Sequence, residues 1–404
     1  MIITQVKTVL LTGPCTNDPF LSEARKRRSA SFIEIHTDTD ITGIGETYAG
    51  YFFPEIVPEI VDFFAPILIG QNPEDIEVLW KRMYHCGNFW CRTGLGCAVL
   101  SGIEAALWDI KGKKEKVSVY RLLGGKKHDR LLCYATGGPS NYPLEKLMEK
   151  IEFYLSLGFR AVKISAGCFT KEQGFYVPSD PGDAADFEAQ KMESLRRRFG
   201  KDLIIMLDGH MGNNDLCVWE LPVAAAVMKA VQPYDVFFFE EPLHYNDIMG
   251  YAELCRLSEV PIAGGECLTS QSEWKTFIEQ NCFDIGQPDA SFVGGLMEFM
   301  AVSSMLLSSG KKLATHSWGS GGSFMQNIHC GFASENTTIL EIAPAFGPLH
   351  SNIIDDDFYM KDGYVYPPEK PGLGIRLTEE TKNRFPFVPG SGEFNSVPGK
   401  ILRE

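Results

Sequence analysis

Seven short apolar runs in this 404-residue chain each end in an ionisable side chain. AVKIS carries Lys163 and Ser165, which alternate onto one face of an extended strand. LIIMLDGH ends in Asp208 and His210, VFFFEEP in Glu240 and Glu241, and PIAGGE in Glu266. FDIGQPDA ends in Asp289, KLATHSW brings His316, and ILEIAP brings Glu341. Taken singly, each has an ordinary explanation: an Asp caps a helix, Glu-Glu-Pro starts one, and a lone His sits in a core. Jointly they ask for another. Asp208, Glu240 and Glu266 close three successive runs, and three carboxylates on one rim repel one another in a low-dielectric setting. A hard divalent cation removes that conflict, and carboxylates that leave room for water and substrate oxygens suit Mg2+. His316 is then the candidate base. Asp289, one run earlier, is placed to hold one ring nitrogen, fixing the tautomer and raising the basicity of the other.

Such residues need a scaffold that delivers strand ends to a common place. After Gly124-Gly125 and the charged KKHDR, the chain repeats one rhythm: a short apolar run, a polar loop, a helical stretch. With LLCYATG at its head the series has eight members. Apolar runs alternating with helices predict parallel strands buried on both faces, and eight such units close a (β/α)8 barrel. Barrels of this kind carry their chemistry at the C-terminal ends of the strands. Ahead of the series, residues 1–55 alternate like strands, and the stretch from Pro54 to Leu123 is helical, notably VLSGIEAALWDIKGK. The predicted fold is α/β: an α+β capping domain over 1–125, a (β/α)8-type barrel over 126–350, and a C-terminal segment, 351–404, packing back on the cap.

Composition narrows the partners. With 38 Lys and Arg against 52 Asp and Glu, the net charge of −14 disfavours nucleic acid and anionic membranes. No stretch reaches the length of apolar sequence needed to span a bilayer, and the N-terminus lacks the pattern of a secretory signal. The eleven cysteines form no CxxC pair. That suits free thiols in a reducing, cytoplasmic compartment.

The order and spacing of these segments resemble the enolase superfamily, in its mandelate racemase-like branch, over nearly the whole chain. SGIEAALWDIKGK followed by VYRLLGG looks like the hinge between that family's cap and barrel. The resemblance implies one Mg2+ per subunit held by Asp208, Glu240 and Glu266, with Glu240 rather than Glu241 at the ligand position. It also implies a His316–Asp289 dyad, abstraction of the proton next to a substrate carboxylate, and a homo-oligomer. Lys163 would neutralise the enediolate that forms; its bland alternative is a structural ion pair with a ligand carboxylate.

Departures from the family pattern select among its reactions. Racemases of this branch carry Lys-x-Lys where this chain has Lys163-Ile-Ser165, so their second base is missing. His210, two residues after the first ligand, resembles instead the galactonate and mannonate dehydratase pattern. β-Elimination needs a base for the C2 proton and an acid for the departing C3 hydroxyl, and two histidines can divide those roles. The expected enzyme is a Mg2+-dependent dehydratase that turns an acid sugar into a 2-keto-3-deoxy acid. Which histidine is base and which acid depends on substrate stereochemistry, and the galactonate-dehydratase resemblance implies His316 as base with His210 assisting departure. The alternative is an epimerase or racemase with His210 and His316 as opposed bases. A non-catalytic barrel predicts the loss of a ligand or base, and none is lost. A retaining glycosidase would need no obligate metal. Substrate contacts are expected from Lys163, Ser165, Glu341 and Arg92. Tyr48 and the Arg25–Arg28 cluster are read as surface residues unless the substrate reaches them, and Trp318 as packing on the substrate or closing the barrel top.

Overall fold

The N-terminal alternation forms an antiparallel sheet of β1 (Ile3–Pro14), β2 (Arg27–Thr37) and β3 (Thr42–Thr47) in a computed structural model. The structure describes residues 1–21, 26–137, 143–170, 174–211, 218–356 and 358–392. Among the described residues the cap is completed by the helices α1 (Ala49–Phe52), α2 (Val57–Leu68), α3 (Ile76–Cys86), α4 (Leu95–Glu115) and α5 (Val119–Leu122). Helix α4 is apolar around most of its circumference and is buried accordingly. It reaches β3 closely because of glycine: a Cβ at Gly45 would lie 2.1 Å from the Gly102 carbonyl oxygen.

The eight predicted runs become eight parallel strands: β4 (Leu131–Thr136), β5 (Ala161–Ser165), β8 (Ile204–Asp208), β9 (Val236–Glu240), β10 (Ile262–Gly264), β11 (Ile285–Gly286), β12 (Lys312–Ala314) and β13 (Thr337–Ile342). Pairing of β13 with β4 closes the barrel. A small hairpin, β6 (Cys168–Thr170) and β7 (Gly174–Tyr176), occupies the insertion after β5. Helices α6 (Leu144–Ser156), α7 (Pro181–Phe199), α8 (Leu221–Val231), α9 (Ile248–Leu257), α10 (Gln271–Glu279), α11 (Leu296–Ser308) and α12 (Gly321–Ala333) surround it. No helix among the described residues is long and apolar enough to cross a membrane.

One residue from each strand fills the barrel interior: Tyr134, Ala161, Met206, Phe238, Ala263, Ile285, Ala314 and Ile339. This apolar plug sets the position of everything above it. Side chains on a strand repeat every two residues, so the next inward residue lies two positions later. Those residues are Thr136, Lys163, Asp208, Glu240, Gln287, His316 and Glu341. Only β10 breaks the count. There Gly265 adopts a φ of +112°, and the turn it makes delivers Glu266 instead.

The C-terminal segment touches both halves. Strands β14 (Met360–Lys361) and β15 (Tyr364–Val365) form a hairpin that pairs antiparallel with the start of β4. Beyond it the chain returns to the cap, where the Leu373 amide donates to Asp109 at 2.8 Å and the Thr12 amide to the Phe385 carbonyl at 3.2 Å.

Cap and barrel are joined by buried acids at helix N-termini. Glu46, ending β3, accepts from the Ser320 amide at 2.8 Å, its hydroxyl at 2.6 Å, and the Ser323 amide at 2.7 Å. Those donors open α12, where the helix leaves amides without internal partners and favours negative charge. Glu104 meets the Leu296 and Met297 amides in the same way. Glu46→Ala would leave two amides and a hydroxyl buried and unpaired. It is expected to cost roughly 3 kcal/mol of stability, read as a shift in the chemical denaturation midpoint. A change below about 1 kcal/mol would show that this junction is not held by the acid.

Candidate active site

The inward residues above the plug converge around one ammonium group. Lys163 Nζ lies 2.7 Å from Glu240 Oε2, 3.0 Å from Asp208 Oδ2 and 3.3 Å from Glu341 Oε1. Strand register accounts for the first pair, because Asp208 and Glu240 face each other across β8 and β9. Gln287 Nε2 donates to the same Glu240 Oε2 at 2.8 Å, while Glu240 Oε1 has no partner. Glu341 is anchored further by the Ser317 amide at 2.6 Å.

Charge and burial compete throughout this cluster. Burial alone would discharge Lys163, but Asp208, Glu240 and Glu341 hold it firmly protonated. Asp208 is likewise opposed by burial, and the His210 and Lys163 charges keep its carboxyl below the usual range. Glu240 is pushed up to about 7 by burial and then by Asp208. Glu241 rises to about 8 for the same two reasons. Glu266 rises well above the carboxylate range, through burial and then the Glu241 charge. Too much negative charge is gathered here for one lysine to balance. The donors are hard oxygens, and one of them, Glu240 Oε1, is free to bind; by chemistry the set fits a hard divalent cation. In this arrangement the ammonium stands between Asp208 and Glu240. As they stand, no three Asp, Glu, His or Cys side chains among the described residues are gathered closely enough to hold a metal ion.

Two histidines flank the acids. His316 Nδ1 is 2.8 Å from Asp289 Oδ2, and its Nε2 is 3.5 Å from Glu266 Oε2. Asp289 is held hard in place. Its Oδ1 accepts from the Ser291 amide at 2.7 Å, the Ser291 hydroxyl at 2.6 Å and Asn327 Nδ2 at 2.8 Å. A carboxylate so supplied with donors accepts a hydrogen bond from the Nδ1–H of His316 and keeps the proton on that nitrogen, which leaves Nε2 as the basic one. Burial would lower the His316 pKa, but Glu266, the Asp289 hydrogen bond and Glu341 lift it to about 10. On the far side His210 Nδ1 lies 3.3 Å from Asp208 Oδ1. The backbone there is strained, with a φ of +49° that a non-glycine residue adopts at a cost.

Residues 7–124 match the mandelate racemase/muconate lactonizing enzyme N-terminal domain, and residues 146–381 match the enolase C-terminal domain-like family. The chain belongs to the enolase superfamily. The expected fold is therefore the fold observed, a closed (β/α)8 barrel under an α+β cap. Within the superfamily, the chain is 32% identical over 361 residues to a D-galactonate dehydratase of Pectobacterium atrosepticum, covering 86% of this chain and 89% of that one. It is 29% identical over 348 residues to an arabinonate dehydratase of Saccharolobus solfataricus, covering 86% and 87%. A crystal structure of the 3,6-anhydro-D-galactonate cycloisomerase of Zobellia galactanivorans superposes with a TM-score of 0.81 at 25% identity. It covers 95% of this chain and 99% of its own. Curated relatives of this enolase-superfamily chain are thus named acid-sugar dehydratases.

The remaining expected contacts divide. Ser165 stays beside Asp208 in the register of β5 and β8. Arg92 is exposed in the cap, where its charge is felt by the Tyr84 hydroxyl. Tyr48 and Arg28 are not surface residues. Tyr48 is buried with its ring 5.3 Å from that of His316, because the β3–α1 turn drops it onto the barrel mouth. Arg28 is buried over the Trp318 ring at 3.6 Å, whereas Arg27 is exposed and Arg25 lies outside the described residues. Two polar residues escaped the sequence reading. Gln287 follows Ile285 on the inward face and was legible from strand parity. Asn327 comes from the middle of α12, and nothing in its sequence neighbourhood marks it.

Proposed function

We propose that the protein is a Mg2+-dependent acid-sugar dehydratase, forming a 2-keto-3-deoxy acid from a 2,3-dihydroxy acid. The observation that carries this reading is the pair of histidines, each against a different carboxylate of one acid cluster. Asp208, Glu240 and Glu266 would hold the cation, as members of the superfamily generally do. When bound, it supplies charge that favours the substrate's carboxylate over other groups and stabilises the enediolate.

The chain's own groups account for the rest. His316 Nε2 takes the proton from C2, and the Asp289 bond at Nδ1 steadies the imidazolium that results. Neutralising Glu266 removes the largest influence that lifts His316 and so frees the imidazole to act as a base. The C2 electron pair forms the C2=C3 bond as the C3–O bond breaks. His210 gives its proton to the departing hydroxyl, which leaves as water. Lys163 balances the cluster through Glu240, Asp208 and Glu341. Its Nζ lies within ion-pair distance of all three carboxylates, which supports the ion-pair role over direct substrate contact.

The test is metal dependence of keto-acid formation, followed with semicarbazide over a panel of acid sugars. EDTA is expected to lower the rate by at least about 1,000-fold, and Mg2+ to restore it. Full activity after EDTA would defeat the metal-dependent reading and favour a metal-free acid pair.

A further inference from the structure

Arg28 is a buried cation with an unused face. It opens β2 and is 3% exposed. Its Nη1 donates to the Trp318 carbonyl and, at 3.4 Å, to that of Gly319. Its Nε and Nη2 are buried and make no hydrogen bond of ordinary geometry, although the buried Cys15 thiol and His350 lie near enough to feel the guanidinium. A guanidinium removed from water is costly without an anion, and five donors leave much to satisfy. A strap between cap and barrel needs only Nη1, so that role leaves the opposite edge unexplained. The Nε–Nη2 edge is a side-on fork that matches the two oxygens of a carboxylate or phosphate.

The surroundings connect that edge to the acid cluster. Trp318, whose ring lies 3.6 Å from the guanidinium, is two residues beyond His316. Its Nε1 donates to the Tyr51 hydroxyl at 3.3 Å. Tyr51 stacks on Tyr48 at 5.2 Å, and Tyr48 packs at 5.3 Å on the His316 ring. An aromatic wall thus runs from the candidate base to the guanidinium. The Tyr48 hydroxyl feels the charges of both Glu266 and Arg28. Flat rings on one side and a fixed fork at the end suit an extended polyhydroxy chain with a charged terminus.

We infer that Arg28 is an anion subsite for the far end of the substrate, so that the acid sugar carries a second anionic group there, a carboxylate or a phosphate. This rests on the acid-sugar reading above. The experiment measures binding in the His316→Asn variant with Mg2+ present, by calorimetry, so that nothing turns over. The probes are galactarate (two carboxylates), 6-phosphogluconate (a carboxylate and a phosphate) and galactonate (one carboxylate). At least one dianion is expected to bind about tenfold or more tightly than galactonate, and which one does identifies the terminal group. Arg28→Met should remove that preference and leave galactonate affinity within about threefold, while Arg28→Lys should keep part of it. Equal binding of all three probes overturns the subsite without touching the dehydratase proposal, and needs no Arg28 variant to show it. Equal loss of all three in Arg28→Met would reduce Arg28 to a strap. Failure of every probe to bind sinks the acid-sugar reading together with the subsite.

Discussion

Replacing His316 by Asn is expected to lower acid-sugar turnover by about 1,000-fold or more while Mg2+ binding is retained, since general bases typically contribute ~10^2 to 10^4. The geometry behind this is specific. Asn keeps a donor for Asp289 Oδ2 at the place of Nδ1, so the ring of contacts through Ser291 and Asn327 survives. What disappears is the basic Nε2 facing the acid cluster. His210→Asn is expected to act similarly, because a C3 hydroxyl leaves poorly without a proton. The two variants differ in one readout. A dehydratase that has lost only its acid still exchanges the C2 proton with solvent, so His210→Asn should retain exchange that His316→Asn lacks. Loss of Mg2+ binding in either variant, measured by calorimetry, would make that histidine a ligand and overturn its role here.

Glu240→Gln is expected to weaken Mg2+ binding by at least about 100-fold, and Glu241→Gln by less than about tenfold. Substitutions only one layer out from a metal already cost ~10- to 100-fold, so losing a charged ligand should exceed that. Strand parity favours Glu240: it lies two residues above Phe238 in the barrel plug and presents an unpartnered Oε1 beside Asp208. Glu241 has left the strand, with a φ of +44°. Electrostatics make the contest real. Glu241 is also buried, neither of its oxygens makes a hydrogen bond of ordinary geometry, and its charge presses on Glu266 more than that of Glu240 does. Equal effects of the two substitutions would mean that the cation is shared differently, and the choice of ligand would fall.

Most of the barrel was readable because its signal is local. Each strand is a short apolar run, and an inward residue two positions above the plug is fixed by the geometry of a strand alone. Asp208, Glu240, His316 and Glu341 follow that rule, and Gln287 obeyed it too but drew no notice because it is uncharged. Glu266 breaks the rule, since Gly265 adds a turn that periodicity does not report. The misread residues depend on how the cap sits on the barrel. Tyr48 and Arg28 look polar and local in sequence, yet both are buried by an element more than 200 residues away, at His316 and Trp318. Asn327 reaches Asp289 only because α12 packs where it does.

The most direct measurement is the product formed in D2O from the acid sugar that turns over fastest, identified by NMR with Mg2+ present. Elimination yields an enol that ketonises by taking a solvent deuteron, so a 2-keto-3-deoxy acid with deuterium at C3 is predicted. Recovery of a hydroxy acid that keeps every hydroxyl and carries deuterium at C2 would contradict it. That outcome would make His210 and His316 opposed bases of an epimerase.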